Sequence, residues 1–525
     1  MRRTRFGVWY AMLAAAFLPA LAHAKVGTVW MQRYAQPGYC NDEATAMYVD
    51  AAGNVYVTGS SQAAEGGQKD FATVKYNSAG VQQWAERFAG VGNSIPAAIA
   101  VDAEGNVYVT GTSDSARTYS DILTIKYNAA GVLQWHDRYS SPGDCIDQGR
   151  SVCIDSSGNV AVCGVTSSVT TSYDWVVIGY SPEGARRFVT PRTSAGGNPD
   201  EANCIIADPQ GSYYVAGRLW FPGNVDDAVV TKYNSAGAEQ WTASYDGPLS
   251  GDGAVAVCRN AAGDLYATGW SVGTSDNADV LTMKVSAAGS LVWTKRYAAT
   301  ENGSDIGTRI ALDVDGNIRV LGRVQTGSGG NYDIVTLGYA SDGAEQFTNR
   351  LNSGGDGQPG GLALDRDGHV LVCGSLAGDF LTLQYNGPTE VWRRVESFAS
   401  GDAASAIGVD DSGYVYVTGR GDFGANAWDF VTIKYNPNAG VEEDRQVTGD
   451  NWRFPTIVRG VLCLPGSGTQ SGLSDNPVMP RATLFDPSGR WVISLRPGAN
   501  DISRLTPGIY FVRYAGRMSK VMLAG

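Results

Sequence analysis

The chain has 525 residues, with 52 acidic and 40 basic side chains, a net charge of −12 and only three histidines. That length allows a large core and more than one domain. The excess of acid argues against a nucleic-acid partner, whose backbone is held by Lys and Arg neutralising phosphates.

At the start, Arg2, Arg3 and Arg5 precede an apolar run from Phe6 to Leu21, closed by Ala22-His23-Ala24. This is the pattern of a secretory signal peptide over residues 1–24, cut before Lys25. A membrane anchor is the rival reading. The run is short, holds Pro19, and has no second apolar span after it, so the mature chain is expected to carry no transmembrane segment.

From there the chain repeats itself. A GNVYVTG-like element begins at Gly53, Gly105, Gly158, Gly211, Gly263, Gly316, Gly368 and Gly413, in steps of 52 or 53 residues and a last step of 45. In the second copy, AAIAVD (97–102), NVYVTG (106–111), DILTIKY (121–127) and VLQWHDRY (132–139) are rich in β-branched and aromatic residues, which suit strands. Asp-x-x-Gly-Asn joins the first two runs and Tyr-Asn-x-x-Gly the last two, both hairpin signals. Apolar residues on both faces of the middle strands place each sheet between two neighbours. Radially stacked four-stranded sheets are the blades of a propeller, so the fold class is all-β.

Residues 26–34, VGTVWMQRY, match only a fourth strand, and the eighth copy lacks one after DFVTIKY (429–435). The N-terminal strand is therefore expected to complete the last blade and remove the open edge. Fourth strands are marked by Trp30, Trp84, Trp135, Phe188, Trp241, Trp293, Phe347 and Trp392, giving eight blades over residues 25–440. The repeats resemble the SBBP type of β-propeller repeat of secreted bacterial proteins, through D-x-x-G-N-x-Y-V-T-G and D-x-x-x-x-K-Y-N. That family's name implies seven blades, one fewer than this count, and it carries no single activity.

The polar stretch 440–451 ends the repeat. Residues 441–480 read as a linker with the first strand of a C-terminal module, GVLCLP (460–465), and residues 481–525 as the core of a small β-sandwich. Its runs are ATLFD (482–486), RWVISL (490–495), GIYFVRY (508–514) and MSKVMLA (518–524), with a turn at Asp486-Pro487-Ser488-Gly489. The module resembles the C-terminal sorting domain of type IX secretion substrates, through LFDPSGRWV (484–492), Gly498, Asn500, the Leu505–Val512 run and Lys520. That resemblance implies export machinery as a partner, and a secreted or cell-surface location. Residues 448–525 carry 9 basic and 4 acidic side chains, the reverse of the acidic ring.

Eight cysteines in an exported chain raise the question of disulfides. Cys163 and Cys373 stand where other copies have Thr or Ala, and Cys153 and Cys258 where others have Ala, so they read as small core residues. Cys40 and Cys145 occupy matching loops two blades apart, a strained pairing. No disulfide framework is expected.

Catalytic motifs are sparse. His136 lies in a fourth strand and His369 in a hairpin turn, neither in a ligand cluster by sequence, so no zinc site or His-based triad is expected. Gly269-Trp270-Ser271-Val272-Gly273 fits G-x-S-x-G, and Gly355–Gly360 fits G-x-G-x-x-G, but no helix follows either. Arg420-Gly421-Asp422 is an integrin-type tripeptide that reads as coincidence. Asp313–Asn317 and Asp365–Gly368 faintly resemble calcium loops, but seven of eight copies carry that first Asp, a recurrence that turn capping explains. Neither a metal nor a cofactor is implied.

Strand order puts both tight hairpins of each blade on one face and both longer connections on the other. The longer ones diverge (SSQAAEGGQK, TSDSARTYS, RLWFPGNVD, WSVGTSDNA), and divergent loops on a rigid scaffold read as a binding surface. Asp recurs there. One starts every third strand, from Asp70 to Asp429, and another precedes most first strands (Asp42, Asp147, Asp200, Asp252, Asp305, Asp402). Both series are read as structural capping rather than as a cation-binding rim. Trp220, Phe221, Trp270, Tyr119 and Trp428 are the candidate binding residues, suited to stacking on a glycan or peptide or else to packing on the next blade. The expected function is a non-enzymatic binding or adhesion scaffold. An extracellular carbohydrate lyase or hydrolase is the alternative, with no catalytic set identifiable.

Overall fold

The structure, a computed structural model, describes residues 26–437 apart from short loop segments, and in the rest of the chain little beyond the backbone of seven strands. The expected signal peptide and the Asp486–Gly489 turn lie outside the described residues. The chain divides into two compact units that meet at Gly440 and Val441.

The first unit is a propeller of eight four-stranded antiparallel sheets. Blade one is Asp42–Val49, Val55–Gln62, Lys69–Tyr76 and Gln82–Phe88, and six further blades follow in the same order. Blade eight takes three strands from the end of the repeat, Ala403–Val409, Val415–Asp422 and Trp428–Asn436, and its fourth from the start, Gly27–Tyr34. Gly27 pairs with Asn436 and Tyr34 with Phe430, so the ring is closed as the unmatched strands imply. Eight blades, not the seven in the family's name, surround the axis.

First strands touch first strands from blade to blade and line the centre, while fourth strands form the rim. The middle strands are buried along nearly their whole length, as in VYVTGSS and DFATV of blade one. Each first strand carries a bulge, between Pro96 and Ala98 in blade two, and starts at Ser94 rather than at Ala97. An innermost strand has no neighbour on its channel side, so a proline is tolerated there.

Consecutive blades are tied by one device used repeatedly. The fourth-strand Trp of one blade lies over the glycine of the next blade's outer turn, Trp30 on Gly80 and Trp84 on Gly131. Gly80 and Gly131 have φ of 82° and 84°, so a side chain there would be both strained and blocked. Trp84 Nε1 and Lys75 Nζ both donate to the Ala129 carbonyl oxygen, at 3.1 and 3.3 Å. Trp135 and Lys126 do the same to Pro182, and Trp30 and Lys434 to Ser78. Each of these lysines also sits over a second-strand tyrosine, Lys75 at 4.8 Å from the Tyr56 ring centre.

Blades three and six replace this set in concert, which explains why Phe188 and Phe347 break the Trp series. Phe188 faces Gly179 and Phe347 faces Gly338, where five other blades pair Trp with Lys and blade seven pairs Trp392 with Gln384. The phenyl ring occupies the space above the glycine, and a Cβ at Gly179 would overlap it. Gly179→Ala is therefore expected to cost about 1–3 kcal/mol through overpacking. Urea unfolding measures it, and Phe188→Leu in the same chain should recover part of the loss.

The second unit has a five-stranded sheet, in the order Ile457–Val458, Arg517–Leu523, Gly508–Tyr514, Ala482–Phe485 and Trp491–Leu495, and a two-stranded pair, Val461–Leu464 with Gly498–Asp501. It too is all-β. Cys145, Cys153, Cys163, Cys204, Cys258 and Cys373 form no disulfide, and among the described residues no helix is long and apolar enough to cross a membrane.

Candidate functional site

The hairpin face is uniform. In blade one, Asp50 Oδ1 accepts the amides of Ala52 and Asn54, and its Oδ2 accepts the Asn54 side chain at 2.8 Å. Asp102, Asp155 and Asp313 repeat this set. These turns use their acids for capping and resemble calcium loops only in composition.

His369 departs from its expected isolation. It stands where other turns have Asn, with Nδ1 2.9 Å from Asp365 Oδ2, and Asp367 brings a third possible ligand atom within 4.8 Å. Asp365 is already taken, since it accepts the amides of Asp367 and His369 and the Gln384 side chain. The trio is the same turn cap with a histidine in it.

The opposite face is built on two carboxylate series. Asp42, Asp147, Asp200, Asp252, Asp305 and Asp402 are almost wholly buried. Each bridges two connections: Asp305 accepts the Ala299 amide at 2.8 Å and the Gln325 amide at 3.0 Å, and Asp402 those of Phe398 and Asp422. Burial pushes the Asp305 carboxyl up to about 6, against the pull of those amides. Ser94 fills this place in blade two and Gly357 in blade seven.

The second series starts the third strands and pairs with an arginine near the end of the fourth. Asp70 meets Arg87 at 2.6 Å, Asp121 meets Arg138 at 3.2 Å, Asp279 meets Arg296 at 2.5 Å and Asp333 meets Arg350 at 2.9 Å, and Arg33 closes the set on Asp429. The guanidinium also reaches the end of the second strand. Arg87 donates to the carbonyls of Ser61 and Gln62, and Arg138 to those of Ser113 and Asp114. Both series are thus structural in most blades.

The five aromatic residues are spread round this face. Trp220 and Phe221 of blade four and Trp270 of blade five are in neighbouring blades, whereas Tyr119 follows the second strand of blade two and Trp428 starts the third strand of blade eight. Tyr119 is the most exposed, at 46 %. Trp220 is half-buried, its amide held by Asp200 at 2.9 Å. Phe221 packs on the core between blades three and four. The Trp270 ring lies over Gly253, and the Trp428 ring is stacked under the Arg420 guanidinium at 4.1 Å.

The short motifs dissolve into strands. Ser271 of the G-x-S-x-G match is fully buried within Leu265–Val272. Arg420 bonds to Gly401 O, Gly421 lies against Phe398, and Asp422 is 3 % exposed, so this tripeptide is part of a sheet.

Three features are not in the sequence reading. Arg150, Glu201 and Arg218 form a chain of ion pairs at 2.6 Å each, from blade three into blade four. Burial opposes ionisation of Glu201, but the two arginines hold its carboxyl below the usual range. Arg309 stands on the first strand of blade six, where the other blades place Ala, Ser, Cys or Gly. It is solvent-exposed yet walled round by protein, as a side chain in the central channel is, and that surrounding lowers its pKa. Third, blade four lacks the arginine: Ser244 occupies the place of Arg87, opposite Val229 as Arg87 is opposite Ala72. The signal was present, because Arg stands three residues after the marker aromatic in five blades and Ser244 stands three after Trp241.

A family model described as SBBP, a β-propeller repeat, matches residues 83–116. No curated protein matches the chain significantly by sequence. Among solved structures, Sqt1 from Chaetomium thermophilum is 9% identical, with a TM-score of 0.49 over 79% of this chain and 99% of its own. A protein of unknown function from Dyadobacter fermentans is 10% identical, with a TM-score of 0.36 over 78% of this chain and 98% of its own. An ulvan lyase of polysaccharide lyase family PL25 is 11% identical, with a TM-score of 0.40 over 71% and 97%. The chain is an eight-bladed β-propeller that carries a recognisable SBBP repeat.

Proposed function

We propose that this is an exported, non-enzymatic binding protein that displays the long-loop face of its propeller to a glycan or peptide. Its C-terminal unit addresses it to the export machinery and the cell surface. The observation that carries the reading is the contrast between faces: turns capped alike from blade to blade on one side, divergent connections bearing aromatic rings on the other. A rigid scaffold with one variable face is the usual geometry of a recognition module. The catalytic alternative has less support, since most carboxylates described on this face are committed to backbone amides or arginines.

A glycan and peptide array, run beside a lyase and hydrolase screen on the mature chain, tests the reading. Binding without turnover supports it, and turnover of any polysaccharide overturns it. Trp220→Ala is then expected to weaken the ligand tenfold or more, about 1.4 kcal/mol, at an unchanged melting temperature. Trp270→Ala should instead lower stability by about 2 kcal/mol, because its ring covers Gly253.

A further inference from the structure

We propose that blade four is a receptor for an arginine side chain of a partner protein, its Asp227 carboxylate and the Leu219 and Trp220 carbonyls taking the guanidinium that five other blades supply for themselves. The inference rests on the long-loop face being the binding face and names the chemistry of one contact on it.

The ring contains its own precedent. In blades one, two, five, six and eight a fourth-strand arginine meets the first acid of the third strand. In blades one and two its other N–H groups go to the last two carbonyls of the second strand, and Arg296 of blade five reaches Ser271 O. Blade four keeps the same backbone. Leu219 pairs with Asp227 as Ser61 pairs with Asp70, so the Leu219 and Trp220 carbonyls lie where those of Ser61 and Gln62 lie. Only the guanidinium is missing, because Ser244 is too short to supply it.

The carboxylate registers that loss. Asp227 is 4 % exposed, and its Oδ1 has no hydrogen-bond partner among the described residues. An unpaired buried carboxylate is costly, so a cation delivered to it is favoured. Burial, then Asp246, Asp252 and Asp226, push its carboxyl up to about 6, against the pull of the Ser244 hydroxyl, which is the one polar group the fourth strand offers in place of a cation. Arg218, the cation nearest in sequence, is engaged with Glu201 at 2.6 Å and Asp226 at 3.1 Å.

The approach would run along the fourth strand. Ser244 and Asp246 are both exposed, so an incoming side chain can follow over Ser244 the course that Arg87 takes in blade one. Arginine fits better than lysine: a planar fork of five donors satisfies a carboxylate and two carbonyls together, which a point charge does not.

The test is calorimetric binding of Nα-acetyl-L-argininamide to the full mature chain, with the lysine analogue as control. Wild type and Ser244→Ala are expected to bind it with a dissociation constant on the order of millimolar, at least tenfold tighter than the lysine compound. Ser244→Arg should abolish that binding, because the chain then fills its own receptor, and should melt above wild type. Asp227→Asn gives the same loss of binding by removing the acceptor, and serves if Ser244→Arg does not fold. Equal binding by Ser244→Arg, no preference over lysine, or no saturable binding overturns the proposal. Failure here with an array ligand still bound removes the arginine receptor and leaves the binding face standing.

Discussion

A chain that begins at Gln36 is expected to show no cooperative unfolding transition. The strand Gly27–Tyr34 covers the edge of Trp428–Asn436, whose residues Asp429–Tyr435 are all buried. Without it, that strand presents a row of unpaired amides and carbonyls. Trp30 is lost from Gly80 and from its bond to Ser78, and Arg33 from Asp429. A single Trp30→Ala should cost about 2–3 kcal/mol. The whole deletion should exceed the 5–15 kcal/mol that holds a typical domain together. Urea titration followed by tryptophan fluorescence and circular dichroism measures both, and a sharp transition at wild-type urea in the deleted chain would contradict the closure.

Asp227→Asn is expected to stabilise the protein at pH 8 and to make no difference near pH 4. Burial and the neighbouring Asp246, Asp252 and Asp226 raise the folded carboxyl to about 6 from its ordinary 3.8. The folded state therefore binds a proton that the unfolded state has released. That contribution is fully present below 3.8, is lost as the pH rises from there through 6, and is gone above about 7. Two pH units correspond to about 2–3 kcal/mol. Asparagine is neutral throughout and escapes the penalty. Melting temperatures of the two chains should diverge between about pH 4 and 6 and run parallel above that, and parallel curves throughout would show that Asp227 already has a cation. A residue kept at a cost to stability is the usual mark of a site retained for another purpose.

The ring was legible because each copy carries its own turn signals. Asp50, Asn54 and Gly53 act within one hairpin, and so do their counterparts in later copies. Closure was legible as well, since an unmatched Trp strand at one end answered a missing one at the other. Aromatic composition alone located less. Trp270 and Trp428 have rings engaged by Gly253 and Arg420, contacts that depend on the first strand of the same blade and on strand pairing. The Ser244 vacancy needed only an alignment of fourth strands. It was hidden because the recurrent Asp was compared between blades without its partner. The Arg150–Glu201–Arg218 chain crosses between blades and has no counterpart in the repeat, so periodicity could not reveal it.

The rim has a consequence for crowded surroundings. Each blade ends in an outer strand with one side unpaired, so every molecule carries eight places where a strand from a second molecule could add. Unguarded edges of this kind lead to sheet extension and precipitation. Here Arg186 and Arg187, Lys295, Glu345 and Arg393 stand exposed along those strands, and Pro191 interrupts one of them. A strand laid alongside would have to bury a charge or meet a missing donor within a few residues. The same outer strands that lock blade to blade through their inward rings thus keep separate molecules apart through their outward charges, so the protein can be concentrated without fusing into fibres.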